Sequence, residues 1–218
     1  MDSLGEFQKN IGVSFSNIGL LKQALTHSSY NKENNERLCF LGDAVLNMIA
    51  ADYLFEKYPE YSEGLLTKIR SGIVNRKTLA LWAKNIGLGK FIILSSGEEK
   101  GGGRKKTSIL AETIEALVGA IFIDSGIKKA EDFVMRYFSA QKEEELLDYK
   151  SALQELFQKR NGSIPIYTLI KKSGEEHKPI FNVLVSIGGI EERGRGKSRK
   201  EAEQEAARKA LLKIQNLR

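Results

Sequence analysis

Cysteine occurs once in the 218 residues, at position 39. An internal disulfide framework and a cysteine-based zinc site are both excluded by that count. Histidine occurs twice, at His27 and His177, too rarely for a multi-histidine metal centre. Long apolar runs are absent: the longest, residues 109–123, is interrupted by Glu112 and Glu115 and is too short to span a bilayer. No membrane association is expected. The opening residues Met1-Asp2-Ser3-Leu4-Gly5-Glu6 have neither the basic start nor the apolar core of a secretory signal. A reducing, cytoplasmic compartment is the expectation. What is present is ordinary for a globular protein, with 41% hydrophobic and 28% charged residues.

Excess charge is also missing from most of the chain. Residues 1–147 carry 19 Lys/Arg and 19 Asp/Glu, whereas residues 148–218 carry 15 and 9. The whole net charge of +6 therefore lies in the last third. A basic module joined to a neutral one suggests a polyanion-binding part and a part that does something else.

Hydrophobic periodicity divides the chain at the same place. Asn17 precedes Leu20, Leu21, Ala24 and Leu25, a short capped helix. Leu38, Leu41, Val45, Ile49 and Tyr53 recur at helical spacing, with Pro59 just beyond. Residues 65–73, 77–86 and 109–124 read as further helices, with a Gly101-Gly102-Gly103 loop before the third, and 128–145 as one or two more. Strand alternation is not evident before residue 160. Residues 149–160 are helical in pattern, 165–172 and 181–187 alternate as strands, and 190–196 reads as a third, weakly patterned strand. Ser198 then opens a helix with Ala202, Ala206, Ala210 and Ile214 at four-residue spacing. The expected architecture is an all-α domain over 1–146 followed by a small α+β domain of order α-β-β-β-α over 147–218. The charged segment 141–145 serves as a helix end or linker.

Several carboxylates stand among core-forming residues. Glu36 and Asp43 are seven apart, with Cys39 between them, on one face of a helix. Glu112 and Glu115 are three apart on another, amid Ile109, Leu110, Ile114, Leu117 and Val118. Burying a carboxylate is costly unless it is paired or bound to a cation. Two readings follow: these are the wet faces of amphipathic helices, or they are oxygen ligands for a hard divalent cation such as Mg²⁺.

Asn35-Glu36-Arg37-Leu38-Cys39-Phe40-Leu41-Gly42-Asp43 resembles the ribonuclease III signature, which reads NERLEFLGD in that family. Leu25-Thr26-His27-Ser28-Ser29-Tyr30, Glu63-Gly64-Leu65, Val74-Asn75, Gly102-Gly103-Arg104, Ser108-Ile109-Leu110-Ala111 and Glu115-Ala116-Leu117-Val118-Gly119-Ala120 follow the family in order. The resemblance implies a homodimeric, Mg²⁺-dependent endonuclease, with Mn²⁺ as a substitute. It would cut double-stranded RNA to 5′-phosphate and 3′-hydroxyl ends and process ribosomal RNA precursors and other structured transcripts. Asp43, Glu112 and Glu115 match three of the family's metal ligands, Glu112 standing where members usually carry Asp. Asp43, Glu115 and Glu36 are the implied catalytic residues, Glu63 a supporting acid, and Phe40 a dimer contact. Cys39 stands at the fourth ligand position. A thiol with an ordinary pKa of about 8.5 is a poor ligand for Mg²⁺. The alternative is therefore a double-stranded RNA-binding regulator whose cleavage is impaired by Cys39.

The C-terminal order resembles a double-stranded RNA-binding domain. The matching residues include Lys150, Gln154, Glu155, His177, Lys197, Ser198, Arg199 and Lys200. A-form RNA offers a shallow minor groove and accessible phosphates. The resemblance places Gln154 and Glu155 at one minor groove and His177 at the next. Lys197, Ser198, Arg199 and Lys200 would meet the phosphates between, at a helix N-terminus where cations oppose the dipole and an anion relieves them. A solvated basic helix start is the plain alternative.

Overall fold

The computed structural model describes residues 3–59, 61–140, 149–175 and 177–216. The helices are Ser3–Ile11 (α1), Ile18–Ala24 (α2), Glu36–Lys57 (α3), Glu63–Ile73 (α4), Arg76–Asn85 (α5), Ser96–Lys100 (α6), Thr107–Ala140 (α7), Tyr149–Asn161 (α8) and Arg199–Asn216 (α9). The strands are Ile166–Ser173 (β1), Ile180–Ile187 (β2) and Ile190–Gly196 (β3). The expected fold class holds: a helical part, then α-β-β-β-α. The charged segment 141–145 lies outside the described residues.

The chain forms two compact units. One is Met1–Glu56 with Arg70–Glu145; the other is Lys57–Ile69 with Leu146–Arg218.

In the first unit, Asn17 caps α2 as its sequence foretells, accepting from the Gly19 N–H at 3.0 Å. Asn75 caps α5 in the same way through Thr78 N–H at 2.9 Å. Leu110, Ile114, Leu117, Val118 and Ile121 of α7 are fully buried, which makes α7 the axis of the unit's core. The break expected between residues 124 and 128 is there: α7 is two helices joined at Gly126, whose φ of 81° and ψ of 177° are non-helical and open only to glycine. α3 is long and apolar enough, by length and composition, to cross a bilayer. It is a core helix, with Leu38, Val45, Leu46, Ile49, Ala50 and Leu54 buried. Its other apolar residues are not: Phe40 is 83% exposed, Met48 53% and Phe55 73%.

In the second unit the sheet is antiparallel in the order β1-β2-β3, with a bulge between Leu169 and Lys171. β3 pairs with β2 in continuous register from Ile187↔Ile190 to Phe181↔Gly196. Its weak pattern, Glu-Glu-Arg-Gly-Arg-Gly, hides a strand that tertiary pairing imposes. Val183, Val185 and Ile187 are buried, as are Ala202, Ala206, Ala210 and Ile214 of α9 and Leu153 and Phe157 of α8, and α9 packs on β2, β3 and α8.

Candidate active site and nucleic-acid interface

Asn35 starts the site. Its side chain is buried, Nδ2 donates to the Ala24 carbonyl at 3.4 Å, and its N–H donates to the Thr26 carbonyl at 2.8 Å. Its own carbonyl accepts from Cys39 N–H at 2.8 Å, the first turn of α3. The entry to α7 is fixed by Arg104. Nη1 donates to the Gly89 and Ile92 carbonyls at 3.0 and 2.6 Å, and Nε to Glu99 Oε1 at 2.5 Å.

The two helices then cross with their backbones in contact. A Cβ on Gly42 would run into the Glu115 carbonyl oxygen, and one on Gly119 into the Leu38 carbonyl oxygen. No other residue type allows this approach, and it sets the side chains beside Gly42 against those of Glu112 and Glu115.

Cys39 Sγ lies 3.0 Å from Glu115 Oε2, and the residue packs against the buried cluster of Ala24, Leu38, Ala116 and Ala120. Burial pushes the thiol up, and its bond to Glu115 together with the charges of Glu115, Glu112 and Asp43 pushes it further. The thiol therefore keeps its proton and donates it to Glu115. The Glu115 carboxyl is itself raised, by burial first and by Asp43 and Glu112, against the opposing pull of the thiol and Arg76. Asp43 Oδ1 accepts from Asn47 Nδ2 at 2.9 Å. Among the described residues no three His, Cys, Asp or Glu side chains converge as a ready-made metal site. Glu115 is turned to the thiol and Asp43 to Asn47. The donor chemistry still fits a hard dication: three neighbouring carboxylates, two of them raising the third by repulsion. The protonated thiol does not fit one.

In the second unit Glu203 is buried, with Oε2 2.5 Å from Lys150 Nζ and Oε1 2.9 Å from Arg199 Nε. Burial pushes this carboxyl up, but the bonds and charges of Lys150 and Arg199 outweigh it and hold it below its usual range. Ser198 Oγ accepts from Glu201 N–H at 3.1 Å, and Glu201 Oε2 from Lys197 N–H at 2.8 Å. Ser198 is thus the cap of α9. His177 is exposed, 3.1 Å from Glu175. Gln154 and Lys200 are exposed. Glu155 Oε2 accepts from Ser62 Oγ at 2.7 Å, within the same unit.

Two family patterns match the chain: Ribonuclease-III-like over residues 17–141 and Double-stranded RNA binding motif over 149–214. Ribonuclease 3 of Borreliella burgdorferi is 45% identical over 226 residues, covering 98% of this chain and 92% of the relative. Ribonuclease 3 of Clostridium perfringens is 45% identical over 224 residues, covering 97% and 94%. The chain belongs to the ribonuclease III family. Among solved structures, the nuclease domain of ribonuclease III from Campylobacter jejuni matches with a TM-score of 0.62 at 40% identity, covering 63% of this chain and 96% of that one.

The ribonuclease III signature and second acidic block are thus brought together by one helix crossing: Asp43, Glu112, Glu115 and Cys39 share a neighbourhood. Glu36 is exposed on the first turn of α3. Glu63 starts α4 in the 57–69 segment, within the second unit, and accepts from Thr67 Oγ1 at 3.0 Å. Phe40 is exposed on α3. Sequence reasoning missed Arg104 as a clasp, Arg76 as a charge acting on Glu115, and Glu203 as a bridge. Two of them left a signal: Arg104 in the Gly102-Gly103-Arg104 match, and Glu203 as an acid inside the basic run that follows Lys197.

Proposed function

We propose that this ribonuclease III-family chain is a hydrolytic endoribonuclease acting on double-stranded RNA and leaving 5′-phosphate and 3′-hydroxyl ends. The observation that carries this reading is the set of carboxylates gathered at the Gly42–Gly119 crossing, in a chain that also folds a double-stranded RNA-binding motif. Metal dependence goes with the family. Asp43, Glu112 and Glu115 would hold the ion, and Mg²⁺, with Mn²⁺ as substitute, suits their hard oxygens. When bound, such an ion lowers the pKa of water and neutralises charge on the leaving oxygen. The chain's own contribution is orientation: the thiol holds Glu115 and Asn47 holds Asp43, with the exposed Glu36 one turn before Cys39 on α3.

Residues 1–146 form the nuclease domain and 147–218 the RNA-binding domain in this reading. Lys150, Gln154, Glu155, His177, Lys197, Arg199 and Lys200 face the duplex. The chain acts as a homodimer, each subunit cutting one strand. The exposed apolar residues Phe40, Met48 and Phe55 of α3 support a second copy there. One Campylobacter jejuni nuclease-domain structure likewise describes a region involved in dimer formation. Ribosomal RNA precursors and other structured transcripts are the proposed substrates. A cleavage-impaired regulator is disfavoured, because the other carboxylates are retained and the relatives over nearly the whole chain are ribonucleases.

Incubation with a long RNA duplex tests this directly. Cleavage with Mg²⁺, none with EDTA, and none of duplex DNA is the expected result. An intact RNA duplex in Mg²⁺, or cutting in EDTA, overturns it.

A further inference from the structure

Acidic side chains on a surface that meets phosphates are ordinarily a handicap, and Glu203 sits among the cations of the RNA-facing helices. It is 8% exposed, and each of its oxygens holds a different cation: Lys150 from α8 at 2.5 Å and Arg199 from α9 at 2.9 Å. Both cations keep an accessible surface, 35% of the Lys150 side chain and 60% of Arg199. Lys150 is restrained twice more, by the Tyr167 ring of β1, 4.7 Å from Nζ, and by its own N–H donating to Gln204 Oε1 at 3.2 Å. One carboxylate thus joins the start of α8 to the first turns of α9.

A free lysine or arginine carries large rotamer entropy and follows any phosphate within reach. A cation clamped by a buried carboxylate cannot. We propose that Glu203 is a specificity-determining positioning residue. It fixes Lys150 and Arg199 at one separation, and that spacing favours A-form RNA over other polyanions. The inference rests on the double-stranded RNA-binding reading of this domain. It reverses the simple charge expectation, under which removing an acid tightens binding to every nucleic acid alike.

The test uses the full chain in EDTA, with RNA and DNA duplexes of equal length, read by fluorescence anisotropy. Glu203→Gln should weaken RNA binding by about threefold to tenfold while DNA binding holds or tightens, so discrimination narrows. Glu203→Asp keeps the charge but shortens the arm so that it cannot reach both cations. It should lose discrimination as well, whereas a charge-only account leaves it like the parent; being still acidic, it also covers the case in which the glutamine variant does not fold. In a Lys150→Ala, Arg199→Ala background the effect of Glu203→Gln should vanish, because the residues through which it acts are gone. Equal tightening on RNA and DNA overturns the proposal. So does an effect that persists in the double-alanine background, which marks a purely structural acid. A parent that binds both duplexes equally overturns the RNA-binding reading instead.

Discussion

Glu115 is half-buried, repelled by Asp43 and Glu112, and bonded to the Cys39 thiol. Removing its charge while keeping its shape separates chemistry from fold. Glu115→Gln should leave melting temperature and RNA affinity nearly intact and lower the cleavage rate by roughly a hundredfold or more. Cleavage near the parent rate would show Glu115 to be structural. At position 39 the expectation runs the other way. Cys39→Glu adds a hard oxygen one turn from Asp43, so half-maximal cleavage should need less Mg²⁺. The new charge is also repelled by its neighbours, so the metal-free melting temperature should fall and recover on adding Mg²⁺. An unchanged Mg²⁺ midpoint would mean that position 39 is no ligand position in this chain. The carboxylates were legible in the sequence because charged residues stand out among Ile, Leu and Val. The thiol's task was not, since its partner lies 76 residues away.

Among the elements, α3 and α7 matter most because nothing but backbone separates them where they cross. Gly42→Ala places a methyl group against the Glu115 carbonyl. The helices must part, at a cost of about 1–3 kcal/mol or more. Activity should fall further than stability, read by comparing single-turnover rates with thermal melts; a fully active alanine variant would contradict the crossing. In the second unit, Glu203 predicts a pH effect with a definite sign. Its carboxyl lies below the usual range when folded and near 4.3 when unfolded. Folding therefore favours the ionised form: the contribution is full above the unfolded value and is lost as pH falls through the folded value. As pH falls below about 5 the parent should lose more stability than Glu203→Gln, measured by melts at each pH. Parallel loss in both proteins would contradict the bridge. Most elements were readable from periodicity and caps. α1 and α6 were not, being short: α1 is ordered by burying Phe7 and Ile11, whereas α6 buries nothing and is held by the Ser95 cap and the Glu98–Lys106 pair. The break within α7 was legible, because a glycine in a helical pattern reads as a stop and Gly126 is one.

For the whole molecule, α3 does two jobs. One side faces α7 and carries Asp43; another exposes Phe40, Met48 and Phe55. Phe55→Glu should shift the chain from dimer to monomer in sedimentation at roughly micromolar concentration, with loss of paired-strand cleavage. An unchanged mass would place the second copy elsewhere. The glycine crossing also has an evolutionary meaning. With carbonyl against Cα there is no cushion of side chain through which substitutions could adjust the gap between the helices. Drift at this centre is channelled into the length of the arms projecting across it. Relative to the family signature, Cys39 is a shorter arm on one helix and Glu112 a longer arm on the other. With the frame fixed, a change of arm length on one helix can be met only by the arms on the other.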